Sequence, residues 1–207
     1  MKLILCVIAA LTAYLVSAWN PAITLSRTIY KTDIRNCGSK NPGFTNFKRC
    51  FGNKWAWCVF ALDISKAALT VAFFAHLFDT YFDAWQLGAA YTGSFTLLGH
   101  AFPLWYSFRG GKGFLVCLST FWVVSPIAGL SSTLIMVVLL LITKYMSLST
   151  VVALLSAPFI MLALDVPSAV CAVCFIDALF VAVRHRENFK RLINGNESKF
   201  SMSSRKE

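Results

Sequence analysis

FLVCLSTFWVVSPIAGLSSTLIMVVLLLI, residues 114–142, runs for 29 positions without a charged side chain. At about 1.5 Å per residue, an unbroken helix of this length would measure roughly 43 Å, well beyond the roughly 30 Å of hydrocarbon in a bilayer. Ser125, Pro126 and Gly129 lie near its middle and read as a turn. The stretch therefore reads as two short helices, the first beginning near Gly111. The whole chain is of the same character. Its 207 residues are 57% hydrophobic and 14% charged, against about 25% charged in soluble domains. The expected solvent is lipid.

Five more apolar segments complete the pattern: Leu3–Trp19, Trp55–Ala75, Trp85–Tyr106, Ser147–Leu164 and Pro167–Val183. Lys2 before an apolar core gives the first the look of a signal peptide, but the topology needs it as a retained span. That makes seven spans, with the N-terminus outside. The inner segments are then 20–54, 107–113, 143–146 and 184–207. They hold every Lys and Arg except Lys2 and the intramembrane Lys66, while the outer loops carry Asp79, Asp83 and Asp165 and no cation. Such an asymmetry is the positive-inside pattern. It accounts for the formal net charge of +10 without a nucleic-acid surface. The expectation is an all-α polytopic membrane protein of seven transmembrane helices with a cytoplasmic C-terminus. One domain spans 1–195, and 196–207 form a polar, mobile tail.

The cysteines are seven, an odd number, and most lie inside apolar runs, which argues against a secreted disulfide framework. Cys171 and Cys174 read as small apolar residues on one helix face rather than a redox pair. His76, Asp79 and Asp83 read as a solvated outer loop. No metal pattern of the H-E-x-x-H kind and no G-x-S-x-G nucleophile elbow is present.

Three inner segments carry the polar chemistry. In the first, 38–49, Gly38, Asn41, Pro42 and Gly43 allow tight turns that aim backbone N–H groups at an anion. Ser39, Thr45 and Asn46 add neutral donors, and Arg49 adds a planar fork suited to phosphate. In the second, Gly99-His100-Ala101-Phe102-Pro103 precedes Arg109-Gly110-Gly111-Lys112-Gly113, a basic glycine cluster that opens a helix; free N–H groups and the helix dipole favour an anion there. The third, Arg184-His185-Arg186-Glu187-Asn188 followed by Arg191, ends the last span. His185 is a candidate acid or base, Asn188 sits three residues on, and Glu187 is placed to hold an Arg or His. Each has a plainer reading: an interfacial loop, a flexible basic turn and a stop-transfer anchor. Asp63 and Lys66, at i, i+3, and Asp177 lie within spans, where charges pair or line a polar interior.

Taken together the segments resemble the bacterial acyl-phosphate-dependent glycerol-3-phosphate acyltransferases of the PlsY type. The first motif resembles G-S-x-N-x-G-x-T-N-x-x-R (Gly38, Ser39, Asn41, Gly43, Thr45, Asn46, Arg49). The second resembles G-H-x-F-P then G-G-K-G (Gly99, His100, Phe102, Pro103, Gly110, Gly111, Lys112, Gly113). The third resembles R-H-x-E-N (Arg184, His185, Glu187, Asn188). Asp63-x-x-Lys66 is also family-like. Lys40, Phe44, Ala67, Phe114 and Leu115 stand where smaller residues are usual.

The resemblance implies transfer of an acyl group from acyl phosphate to the sn-1 hydroxyl of glycerol 3-phosphate at the cytoplasmic face of a bacterial inner membrane. It also implies no cofactor or metal, and a soluble enzyme that supplies the acyl phosphate. Ser39, Arg49, Lys112, His185 and Asn188 are the expected catalytic set. Asn41, Thr45, Asn46, Gly110, Gly111 and Gly113 would complete the phosphate site, and His100, Asp63, Lys66 and Glu187 would support it. A small transporter or lipid-handling protein for an anionic substrate is the alternative reading.

Overall fold

The structure, a computed structural model, describes residues 1–200; the remaining tail, 201–207, lies outside the described residues. All regular structure there is helical. The elements are α1 (Lys2–Ala18), α2 (Pro21–Ile29), α3 (Phe44–Phe51), α4 (Asn53–Phe82), α5 (Trp85–Ala101), α6 (Phe114–Val124), α7 (Pro126–Thr143), α8 (Met146–Ala163), α9 (Ser168–Arg184) and α10 (Arg186–Ile193). Each of the seven apolar segments is a helix. Among the described residues, four stretches are long and apolar enough to cross a bilayer: Lys2–Ile29, α4, α7 and α8. There are five if α9 and α10, bent by 55°, count as one.

The break inside 114–142 falls at Ser125, whose hydroxyl accepts from the Ala128 N–H, and Pro126 occupies the first turn of α7. Proline is pre-set for that position and has no N–H to leave unpaired. Gly129 is not part of the turn. It lies inside α7, where a Cβ would meet Trp122 at 2.7 Å. The first helix begins at Phe114 rather than near Gly111. At 11 residues α6 is about 16 Å long, half of a bilayer core. Two other boundaries shift. The second apolar helix runs on to Phe82, so His76 and Asp79 lie in α4 rather than in an outer loop, and Asp83 caps it in left-handed geometry. The third ends at Ala101, short of Tyr106, because Pro103 cannot extend a helix.

The core forms around α5, which packs on α1, α4, α6 and α9. Its small residues make this crowding feasible. A Cβ on Gly93 would stand 2.1 Å from Thr120 of α6, and one on Gly99 2.3 Å from the Tyr14 carbonyl of α1. Without a hydrophobic force between helices in lipid, such backbone approach supplies the packing energy. Asp177, on α9, accepts a 2.9 Å hydrogen bond from Ser94 of α5, so its polar atom is used between helices. Cys171 and Cys174 are both free and buried.

Candidate active site

The loop before α3 is built like a bracket. Asn46, 2% exposed, accepts from the Ser39 N–H at 2.8 Å and donates to the Cys37 carbonyl at 2.9 Å. Gly38 sits at φ +55°, and a Cβ there would meet Asn46 Oδ1 at 2.4 Å, so only glycine fits. Lys40 also adopts φ +60°. A disulfide joins Cys37 to Cys50, Cα–Cα 6.3 Å; the cysteine count gave no reason to expect it. Both residues lie outside the apolar spans, and the loop doubles back on α3, which brings them together. Asn20, the N-cap of α2, donates to the Pro42 carbonyl at 3.1 Å. Arg35, held by Asp33, donates to the carbonyls of Tyr106 and Arg109 at 2.8 and 3.3 Å. The first inner segment is thereby fastened to the second.

The second segment departs from expectation at two glycines. The N–H groups of Gly110 and Gly111 donate to the carbonyls of Ala101 and His100, both at 3.1 Å. They satisfy the frayed end of α5 and are not available to an anion. Their glycine character serves close approach: a Cβ on Gly111 would lie 2.1 Å from His100 Nε2. Gly113 caps α6 at φ +90°. That leaves Lys112, Gly113 and the N-terminus of α6 as the part of this segment suited to an anion.

His100 belongs to a buried network. Lys66 Nζ lies 2.8 Å from Asp63 Oδ1, and it donates to the Trp19 and Ser17 carbonyls at 2.9 and 3.3 Å and to His100 Nδ1 at 3.2 Å. A lysine ammonium only donates, so His100 presents its lone pair to it. One cation thus ties α1, α4 and α5 together.

The third segment bends at His185, where α9 ends and α10 begins. His185, 6% exposed, donates from Nδ1 to the Val181 carbonyl at 2.8 Å, which leaves Nε2 as an acceptor. Burial and the nearby Lys112 push its pKa down to about 4, so it is neutral at pH 7. Glu187 does not support His185: it is exposed and pairs with Lys190 at 3.2 Å and Arg186 at 3.5 Å. Both residues lie in α10, where successive positions point about 100° apart. Asn188 faces inward, and its Oδ1 accepts from Lys112 Nζ.

All three segments line one cavity of about 900 Å³. Ser39, Asn41, Thr45, Arg49, Lys112, Gly113, His185 and Asn188 stand at its polar part, together with the N-termini of α3 and α6. Elsewhere Phe60, Ile64, Leu118, Trp122 and Met136 give it apolar walls. Burial, with Arg191, Arg184 and Arg49 nearby, lowers the Lys112 pKa to about 8 despite the opposing effect of Glu197. Cations therefore outnumber anions there, and the arrangement suits multivalent anions. Arg191, Ser147 and Glu197 also line the cavity, and sequence reasoning assigned none of them. Arg191 was accessible, because it shares a helix face with Asn188 at i, i+3. Ser147 and Glu197 carried no such signal.

Fold and site together define a helical membrane protein with a cation-rich polar pocket beside an apolar groove. The chain belongs to the glycerol-3-phosphate acyltransferase family, whose model matches residues 7–195. Curated relatives named glycerol-3-phosphate acyltransferase include one from Thermoanaerobacter pseudethanolicus, 36% identical over 96% of this chain and 97% of that protein. Another, from Aquifex aeolicus, is 34% identical over 86% and 93%. Two crystal structures of PlsY, described as an integral membrane glycerol 3-phosphate acyltransferase, are similar throughout. The glycerol 3-phosphate form has a TM-score of 0.86 at 31% identity, covering 95% of this chain and 96% of that one. The lysophosphatidic acid form has 0.82 at 29%, covering 96% and 97%.

Proposed function

We propose that the chain transfers a fatty acyl group from acyl phosphate to the sn-1 hydroxyl of glycerol 3-phosphate, giving 1-acylglycerol 3-phosphate and phosphate. The observation that carries this is the convergence of three distant segments, rich in cations and polar donors, on one cavity whose other walls are apolar. Both substrates bear a phosphate and one bears a chain, and the cavity has a place for each kind of group. Arg49 and Lys112, with Ser39, Thr45 and Asn188, hold the phosphates; the acyl chain lies between α4, α6 and α7. The glycerol oxygen attacks the acyl carbonyl carbon, the bond from carbon to the phosphate oxygen breaks, and phosphate leaves with the electron pair. Acyl phosphate is already activated, so positioning and charge stabilisation suffice and no acyl-enzyme is needed.

His185 serves here as a hydrogen-bond acceptor for the attacking hydroxyl. With a pKa near 4 it is a weak base, and the substrate phosphate is the stronger candidate to take the proton. Its neutral form is present above about pH 4. The pH–rate profile should accordingly show no limb near 6.5 that His185→Gln removes, and such a limb in the parent would restore His185 as the base.

Supporting the same reading is the distribution of basic residues, consistent with seven transmembrane helices, an outer N-terminus and a site facing the cytoplasm of a bacterial inner membrane. A single domain of residues 1–195 and a soluble enzyme supplying acyl phosphate belong to it. Phe44, Phe114 and Leu115, bulky where the family is usually small, line the cavity and bear on which chains fit. Purified protein in detergent, given acyl phosphate and labelled glycerol 3-phosphate, should form lysophosphatidic acid. Vectorial uptake into vesicles without product would favour the transporter reading.

A further inference from the structure

The segment after α10 is not a loose tail where it is described. The Asn196 N–H donates to the Arg191 carbonyl at 2.7 Å, and the Phe200 N–H to the Lys144 carbonyl at 2.7 Å. The Phe200 ring lies under Lys48 Nζ at 4.9 Å. Between these ties Glu197 enters the cavity, its side chain 8% exposed. Both carboxylate oxygens are engaged. Oε1 accepts from Ser147 Oγ at 2.9 Å and Asn188 Nδ2 at 2.6 Å, and Oε2 accepts from Arg191 Nε at 2.9 Å.

We propose that Glu197 is a positioning residue of the active site: its carboxylate fixes the Asn188 amide, and through it the Lys112 ammonium, in the orientation that receives a substrate phosphate. An asparagine amide has one donor side and one acceptor side. With Nδ2 committed to Glu197, Oδ1 must face Lys112, as it does. Without Glu197 the amide is free to rotate by half a turn and set its N–H groups against the ammonium. The charge acts in the same direction. Arg49 of α3, Arg184 of α9 and Arg191 of α10 all disfavour the protonated Lys112, and among the described residues Glu197 favours it; His185 beside it is neutral above about pH 4. Asp63 also lines the cavity but is paired with Lys66. An anion in an anion site invites the opposite reading, a plug that competes with substrate. The bonding opposes it: Lys112 bonds Asn188, and the carboxylate points to Ser147, Asn188 and Arg191.

The inference rests on the phosphate-binding reading above, so its test has an arm that needs no turnover. In full-length protein, Glu197→Gln keeps the shape and one acceptor and removes the charge. The pKa of Lys112, read by pH-dependent modification of its amine with a small anhydride and mass spectrometry, should fall in this variant. It should recover in Glu197→Asp. With acyl phosphate and glycerol 3-phosphate, Glu197→Gln should lose at least about tenfold in kcat/KM, and its alkaline limb should move to lower pH. In an Asn188→Ala background the same change should have little further effect, the non-additivity of groups acting through one another. An unchanged Lys112 pKa, or a gain in rate with lower KM, would overturn the inference. A fallen Lys112 pKa in protein that makes no lysophosphatidic acid would leave the bracing intact and sink the assigned reaction instead.

Discussion

Lys112→Ala should lower kcat/KM by about 10²–10³, the usual cost of removing one preorganised group that stabilises transition-state charge. As the acyl–phosphate bond breaks, negative charge grows on the departing phosphate. Lys112 reaches the cavity from the position before Gly113, the cap of α6, and its ammonium donates to Asn188. A cation placed to meet that growing charge favours the transition state over the bound substrate, so the loss should fall mainly on kcat. Lys112→Arg should restore little, because a planar fork on a longer stem does not replace a point charge seated against Asn188. The parent supplies a second check. Lys112 is held down to about pKa 8; the charged form prevails below that pH and the neutral form above it. Activity in kcat/KM, which reports the free enzyme, should therefore decline as pH rises through about 8. A bound phosphate favours the ammonium, so the limb in kcat should lie at higher pH. Initial rates from pH 6 to 10 (a range chosen to bracket a titration of about 8) would check both. A kcat/KM profile flat to pH 10 would remove Lys112 from the role.

The membrane character of the chain, the helical form of its apolar segments and the three polar segments were legible because each depends on local chemistry. An apolar run of sufficient length must be helical where no water can satisfy the backbone, and Ser125-Pro126 marks its own break. Contacts between segments were less legible. Gly110 and Gly111 are the same residues whether their N–H groups face an anion or the end of α5, and only the fold decides for the latter. Asn46 was expected to donate to phosphate, yet its polar atoms hold Ser39 and Cys37. Glu187 and Asn188 are neighbours on α10, and which of them faces the cavity follows from the 55° bend before that helix, which no single residue type dictates. Glu197 lies in a polar stretch that composition alone describes as solvated; its place follows from Arg191, Asn188 and Ser147 meeting at one point.

Lys66→Met should cost about 3–5 kcal/mol of stability, the range for breaking a buried ion pair from one side. Side chains of Lys66 and Asp63 are 4% and 2% exposed, so the orphaned carboxylate is left buried without its counter-charge. The Ser17 and Trp19 carbonyls at the end of α1 lose their donor as well. At roughly 2–4 °C per kcal/mol for a chain of this size, the melting temperature in detergent should drop by about ten degrees. Combining Lys66→Met with Asp63→Asn should recover part of the loss, since removing both charges is far less costly than removing one. The consequence extends to the site. Lys66 holds His100, the His100 ring is packed on Gly111, and Lys112 is the next residue. A loosened His100 lets that turn move, so turnover at a temperature where Lys66→Met remains folded should also fall, and the double variant should regain stability more fully than rate. A single variant that melts within a degree or two of the parent would mean that the ion pair does not hold the three helices together and that packing alone does.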